Sequence, residues 1–192
     1  MSLVESWKKQ FFATIQTSEL ADALKEASIQ GQMKKWTTVL TSVVVAACEQ
    51  RNWFAAAKGH KPEFLPEARF EYLGIDVMGF EHSGKSWPFP IAAFELENSQ
   101  SDDRIAYSLW KVLNLRTLLR IVFCYRPAPE AGPQLIKSLE ESVMRSIGID
   151  DRMKIGGETL VVVGYRNNAE TFPYGFFKWW LLNKNIGQFE LH

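Results

Sequence analysis

The chain has few of the side chains that build disulfide frameworks and zinc sites. Its 192 residues include two cysteines, Cys48 and Cys124, and three histidines, His60, His82 and His192. The cysteines lie far apart in apolar runs, which reads as two buried thiols in a reducing compartment, with a catalytic thiol the lesser alternative. The histidines are isolated, so the paired spacing of a zinc centre is absent. An excess of one charge is missing too, since 22 basic residues balance 22 acidic ones. No global positive field would gather nucleic acid, and phosphate binding would need a local basic patch or a bound cation. No apolar run reaches membrane-spanning length, the longest candidate being Thr41 to Cys48, and no signal peptide is evident. The expectation is a cytoplasmic protein with no membrane partner. Neither Gly-x-Ser-x-Gly nor a Walker loop occurs, and no histidine is placed to activate a nucleophile.

What is present is an ordinary apolar fraction, 46%, with an unusual share of aromatics, including seven Trp and thirteen Phe. That content predicts an aromatic core or an apolar surface that pairs with a partner. The length suits one domain over 1–192, with a helical N-terminal part over 1–60 and a mixed-sheet core over 61–192. Val4, Trp7, Phe11, Phe12 and Ile15 recur at helical spacing, and Ala21, Leu24 and Ala27 continue it past a break at Thr17-Ser18. The leading Met1-Ser2-Leu3 is set aside. A second helix is predicted from about Lys35 to Arg51, and Trp53 to Lys58 either extends it or begins a strand. Arg69 to Phe80 reads as one or two strands with Gly74 as a bulge or bend, His82 to Pro90 as a loop, and Ile91 to Glu97 as a short strand. An amphipathic helix to about Leu115, a strand over Leu118 to Tyr125, a helix over Gly132 to Ile147 and a strand over Thr159 to Tyr165 follow. Strand, helix, strand in succession predicts crossovers and an α/β fold, a mixed sheet flanked by helices. The aromatic tail from Phe172 to Leu182 resists assignment. Phe172, Tyr174, Phe176, Trp179 and Trp180 either complete the core or form a dimer interface.

The chemistry concentrates in Phe94-Glu95-Leu96-Glu97. Side chains two apart on a strand share a face, so Glu95 and Glu97 should project together from the end of an apolar strand. Like charges side by side repel, and each is disfavoured in an apolar setting; a divalent cation resolves both problems. Asp76, between Ile75 and Val77, is a third acid in an apolar run. Antiparallel pairing would bring it beside Glu95, and with the Leu96 carbonyl the group offers hard oxygen ligands suited to Mg²⁺ or Mn²⁺. The competing reading is solvated or ion-paired acids at strand ends, with Glu97 facing Lys85.

Asp76, an intervening loop, Glu95-Leu96-Glu97 at the end of the next strand, then an amphipathic helix and a buried strand resemble the PD-(D/E)XK nuclease superfamily over roughly Arg69 to Pro127. The resemblance implies a restriction-endonuclease-like fold with a helical N-terminal extension. It implies that Asp76, Glu95 and the Leu96 carbonyl hold the metal, and that a lysine contacts the attacking water or the phosphate. Glu97 stands where that lysine would be. Lys111, on a polar face with Arg104 and Ser108, is one replacement and Lys85 the other, although a solvated face accounts for Lys111 as well. Glu49, at the end of the preceding helix, matches an acidic position often present in the family, and Glu71 is an alternative. The implied activity is metal-dependent endonucleolytic hydrolysis of DNA, with Asp76, Glu95, Glu97 and Lys111 as catalytic residues. The alternative is an inactive binding module on the same fold.

Overall fold

The computed structural model describes residues 2–60, 62–67, 69, 71–81 and 86–192. The helical periodicity at the start of the chain resolves into three helices. α1 (Leu3–Ile15) buries Val4, Trp7, Phe11 and Ile15. Ser2 begins it: its hydroxyl accepts from the Glu5 amide at 3.1 Å, while the Glu5 carboxylate accepts from the Ser2 amide at 2.9 Å. This capping box satisfies donors that a first helical turn leaves open. α2 (Ser18–Ile29) follows the predicted break, and α3 (Met33–Glu49) turns Trp36, Leu40, Val43, Val44 and Ala47 inward. The next segment is a strand, β1 (Phe54–Ala57), so the sheet begins inside the stretch read as helical, 1–60.

The strand expected over Arg69 to Phe80 shrinks to β2 (Val77–Phe80). Ahead of it, Tyr72 and Ile75 close a turn, the Ile75 amide donating to the Tyr72 carbonyl at 3.0 Å. Leu73 and Gly74 fill the turn at φ 54° and 65°, the signature of a type I′ geometry. Glycine takes such a φ freely and leucine does not, so Gly74 marks the bend expected there while Leu73 conceals its extent. β3 (Ala92–Leu96) then leads into α4 (Asp102–Leu113), β4 (Leu119–Arg126), α5 (Ala131–Ser142), α6 (Ile149–Lys154) and β5 (Glu158–Tyr165). The aromatic tail becomes β6 (Phe177–Asn183), followed by β7 (Gln188–Leu191).

The seven strands lie in one sheet in chain order. β1, β2 and β3 form an antiparallel meander, β3, β4 and β5 run parallel through α4 and then α5, and β6 and β7 return antiparallel. Alternation along the strands feeds two cores. On one face Ala92, Phe94, Ile121 and Phe123 pack with α1 and α3; on the other Ala93, Val122 and Val161 pack with α4 and α5. The chain is therefore an α/β mixed sheet with helices on both faces.

The first core takes most of the aromatic content. Trp7 packs 5.0 Å from Phe94, and Phe11 lies 5.4 Å from Phe123 and 5.5 Å from Trp179, centroid to centroid. Phe176, Phe177 and Trp179 are buried in this core and Tyr174 is exposed. Of the two readings of the aromatic tail, the burial of Phe176, Phe177 and Trp179 favours completion of the core. No helix among the described residues is long and apolar enough to cross a membrane.

Candidate active site

β2 and β3 pair with Val77 opposite Phe94 and Gly79 opposite Ala92. The same register, carried one step past Val77, sets Asp76 opposite Glu95. The Leu96 amide donates to Asp76 Oδ2 at 2.7 Å, which fixes the acid against the end of β3. Glu95 is the penultimate residue of a strand that is otherwise apolar and buried on both faces, and it shares that burial at 4% exposure. It points to the α4 face, where Lys111 crosses from the helix. Lys111 Nζ lies 2.8 Å from Glu95 Oε2 and donates to the Gly74 carbonyl at 2.6 Å. One ammonium thus ties α4, the end of β3 and the Leu73-Gly74 turn together. Glu95 Oε1 is left buried with no hydrogen-bond partner.

The electrostatics follow from this placement. Burial pushes the Glu95 carboxyl up to about 7; the Lys111 ammonium opposes that shift, the neighbouring Asp76 charge adds to it, and Ser108 opposes it more weakly. Asp76 is also raised, chiefly by burial. The Leu96 amide and Lys111 hold it down, and the Glu97 charge pushes it up. Two acids unsettled by burial and by neighbouring carboxylates, one with an orphaned oxygen, fit the chemistry of a hard divalent ion. The side chains present supply two carboxylates, and an ion of the Mg²⁺ type completes such a shell with waters.

The other expected residues are placed differently. Glu97 lies one residue past β3, and its amide still donates to the Phe123 carbonyl at 2.9 Å. Its Oε1 accepts from the Ser99 amide at 2.7 Å, and it lines a small pocket with Trp36, Thr37 and Leu40 of α3. No group of three His, Cys, Asp or Glu side chains among the described residues is placed to share an ion, which corrects the expected three-carboxylate cluster. Glu49 is exposed at the far end of α3, beside Trp53, His60 and Phe64. The near end of that helix is marked by Thr37, whose hydroxyl accepts from Asn98 Nδ2 at 2.8 Å. Twelve residues of helix separate Thr37 from Glu49, about 18 Å; the expected ligand Glu49 therefore lies outside the site. Glu71 is exposed and outside any strand, and Arg104 is exposed on α4. Lys85 and His82 lie outside the described residues. The sequence reading missed the Gly74 carbonyl as a partner of Lys111, and only Gly74 itself hinted at a turn.

No family model and no curated protein matches the chain. Among solved structures, NucC of E. coli MS115-1 in its cAAA-bound form is similar at 16% identity, over 92% of this chain and 83% of that one, with a TM-score of 0.45. A likeness that low leaves the chain's own geometry to speak for the site. In that geometry Asp76 precedes β2, Glu95 lies near the end of β3, and the helix α4 and the parallel strand β4 follow.

Proposed function

We propose that this protein hydrolyses phosphodiester bonds in DNA with the help of Mg²⁺ or Mn²⁺. The observation that carries the reading is the convergence of Asp76, Glu95 and Lys111 at one end of the β2–β3 pair. An acid, an acid and a lysine are the side chains that the PD-(D/E)XK resemblance requires. Here the lysine comes from α4 instead of position 97. Asp76, Glu95 and the Leu96 carbonyl would hold the ion, which when bound supplies an acidified water and a counter-charge for the phosphate.

The remaining roles fall to the chain itself. Lys111 Nζ, fixed by Glu95 and the Gly74 carbonyl, is aimed where negative charge develops on the phosphate oxygens. The Leu96 amide orients Asp76. The Glu97 charge raises the Asp76 pKa and adds negative charge to this end of the sheet. A cation entering the site would remove the cost of setting the buried Glu95 beside the half-buried Asp76.

The test is plasmid nicking with Mg²⁺ or Mn²⁺. Asp76→Ala and Glu95→Ala should each reduce nicking on the order of 100-fold or more, and Lys111→Met by a similar factor. A wild-type protein that leaves plasmid intact, or nicking that survives both acid substitutions, sinks the reading. Metal binding through Asp76 and Glu95 without any nicking would identify the alternative, a binding module that retains the fold.

A further inference from the structure

The helix that supplies Lys111 also carries an aromatic pair with no partner in the core. Tyr107 and Trp110 stand one turn apart on α4, 59% and 52% exposed, with ring centroids 6.2 Å apart and planes inclined by 26°. The rest of the aromatic content is spent largely on the core, so two large stacked rings left in solvent on one helix face call for an occupant. Their position supplies one. Lys111 Nζ lies 5.7 Å from the Tyr107 ring centroid and 2.8 Å from Glu95 Oε2, so the ring surface begins where the candidate active site ends. On the other side, Leu73 is 77% exposed at φ 54°, next to the Gly74 carbonyl that holds Lys111. A non-glycine residue kept in that conformation with its side chain in water is an outlier of the kind that gathers at binding sites.

We infer that Tyr107 and Trp110 form a stacking platform for unpaired bases of the DNA strand whose phosphate lies at Asp76, Glu95 and Lys111. The inference rests on the nuclease reading for the position of the phosphate. Every nucleobase presents a flat π face, so a ring platform binds without regard to sequence. Bases inside a duplex are already stacked on one another, so the platform favours single-stranded, frayed or flipped-out bases. The charge balance agrees. With 22 basic and 22 acidic residues the protein has no general field with which to neutralise many phosphates, and ring stacking adds an attraction that does not depend on one.

The experiment is fluorescence anisotropy, without divalent metal so that no strand is cut. The probes are a fluorescein-labelled single-stranded oligodeoxynucleotide and the same strand annealed to its complement. Wild type should prefer the single strand, with a shallow dependence on salt. Tyr107→Ala and Trp110→Ala should each weaken single-strand binding about tenfold, the scale of one base–ring stack, while Tyr107→Phe and Trp110→Phe retain most of it and duplex binding changes little. Alanine variants that bind like wild type, a wild-type preference for duplex, or a self-association that Trp110→Ala abolishes would each overturn the inference. Plasmid nicking is scored separately: its absence defeats the nuclease reading, while the anisotropy data decide the platform by themselves.

Discussion

Lys111 and Arg120 both reach into the layer between α4 and the sheet, and their surroundings differ in one respect. Arg120 is 2% exposed and wholly enclosed by carbonyl oxygens. Its Nε donates to Val112 at 2.9 Å, Nη1 to Gly156 at 2.6 Å and Nη2 to Leu115 at 2.5 Å. Burial lowers its pKa to about 10, which leaves it charged at neutral pH. It closes the C-terminal end of α4, where helical carbonyls have no partner of their own and carry partial negative charge. Lys111, in contrast, faces a carboxylate whose second oxygen has no partner, beside another raised acid. A cation whose contacts are saturated holds a fold together. One set in an unsaturated cluster leaves capacity for a further ligand.

The largest effect on stability should therefore come from Arg120. Replacement by alanine removes three buried hydrogen bonds and leaves the Val112 carbonyl to its backbone donor Leu115 alone, so Arg120→Ala should cost about 3–5 kcal/mol in urea unfolding. Lys111→Met should cost only about 1–2 kcal/mol, because Glu95, already near 7, can take up a proton instead of remaining an unpaired charge. The order reverses in activity, where Lys111→Met abolishes nicking and Arg120→Ala, assayed at a temperature where it is folded, keeps it. Equal stability losses for the two variants would erase the distinction between structural and functional cation.

A pH titration sharpens the same contrast. The folded Glu95 carboxyl sits near 7 against an ordinary 4.5, so between those values the folded state holds a proton that the unfolded chain has lost. The resulting stabilisation is complete below pH 4.5 and is lost as pH rises through 7, by about 3 kcal/mol at most. Asp76, raised as well, acts in the same direction. Stability of the metal-free protein should thus fall from mildly acidic to neutral pH, and Glu95→Gln should flatten most of that slope. A wild-type profile that rises over this window would show that Glu95 is ionised throughout and held by Lys111.

How much of this could be read beforehand depended on the kind of signal. α1, α3, α4 and α5, and the buried strands β3, β4 and β5, follow from apolar periodicity, because each buries a face against the sheet or a helix. β6 and β7 were illegible because Phe177, Lys178, Trp179 and Trp180 show no contrast between inward and outward positions. The juxtaposition of Asp76 with Glu95 was foreseeable from antiparallel pairing. The contact of Glu97 with the Ser99 amide was not, since it depends on β3 ending at Leu96. Lys111 was visible only as a member of a polar helix face. Its link to Gly74 depended on a turn that Leu73 disguises, because leucine is a poor advertisement for positive φ.

The smallest expected effect separates the two ends of α3. Glu49 and Glu95 are both acidic and both follow an apolar run, and on sequence grounds either is a ligand. Glu49 is exposed among Asn52, Trp53 and His60, where water already satisfies its charge, whereas Glu95 is enclosed with an unpartnered oxygen. An ion gains little from an acid that water serves as well, and gains most where burial has left a carboxylate without hydration. Calorimetric titration with Mn²⁺ should therefore give the same affinity for Glu49→Ala as for wild type, within about 0.5 kcal/mol, while Asp76→Ala and Glu95→Ala abolish the heat of binding. Loss of binding on removal of Glu49 would mean that the ion sits at the far end of α3, away from the β2–β3 carboxylates.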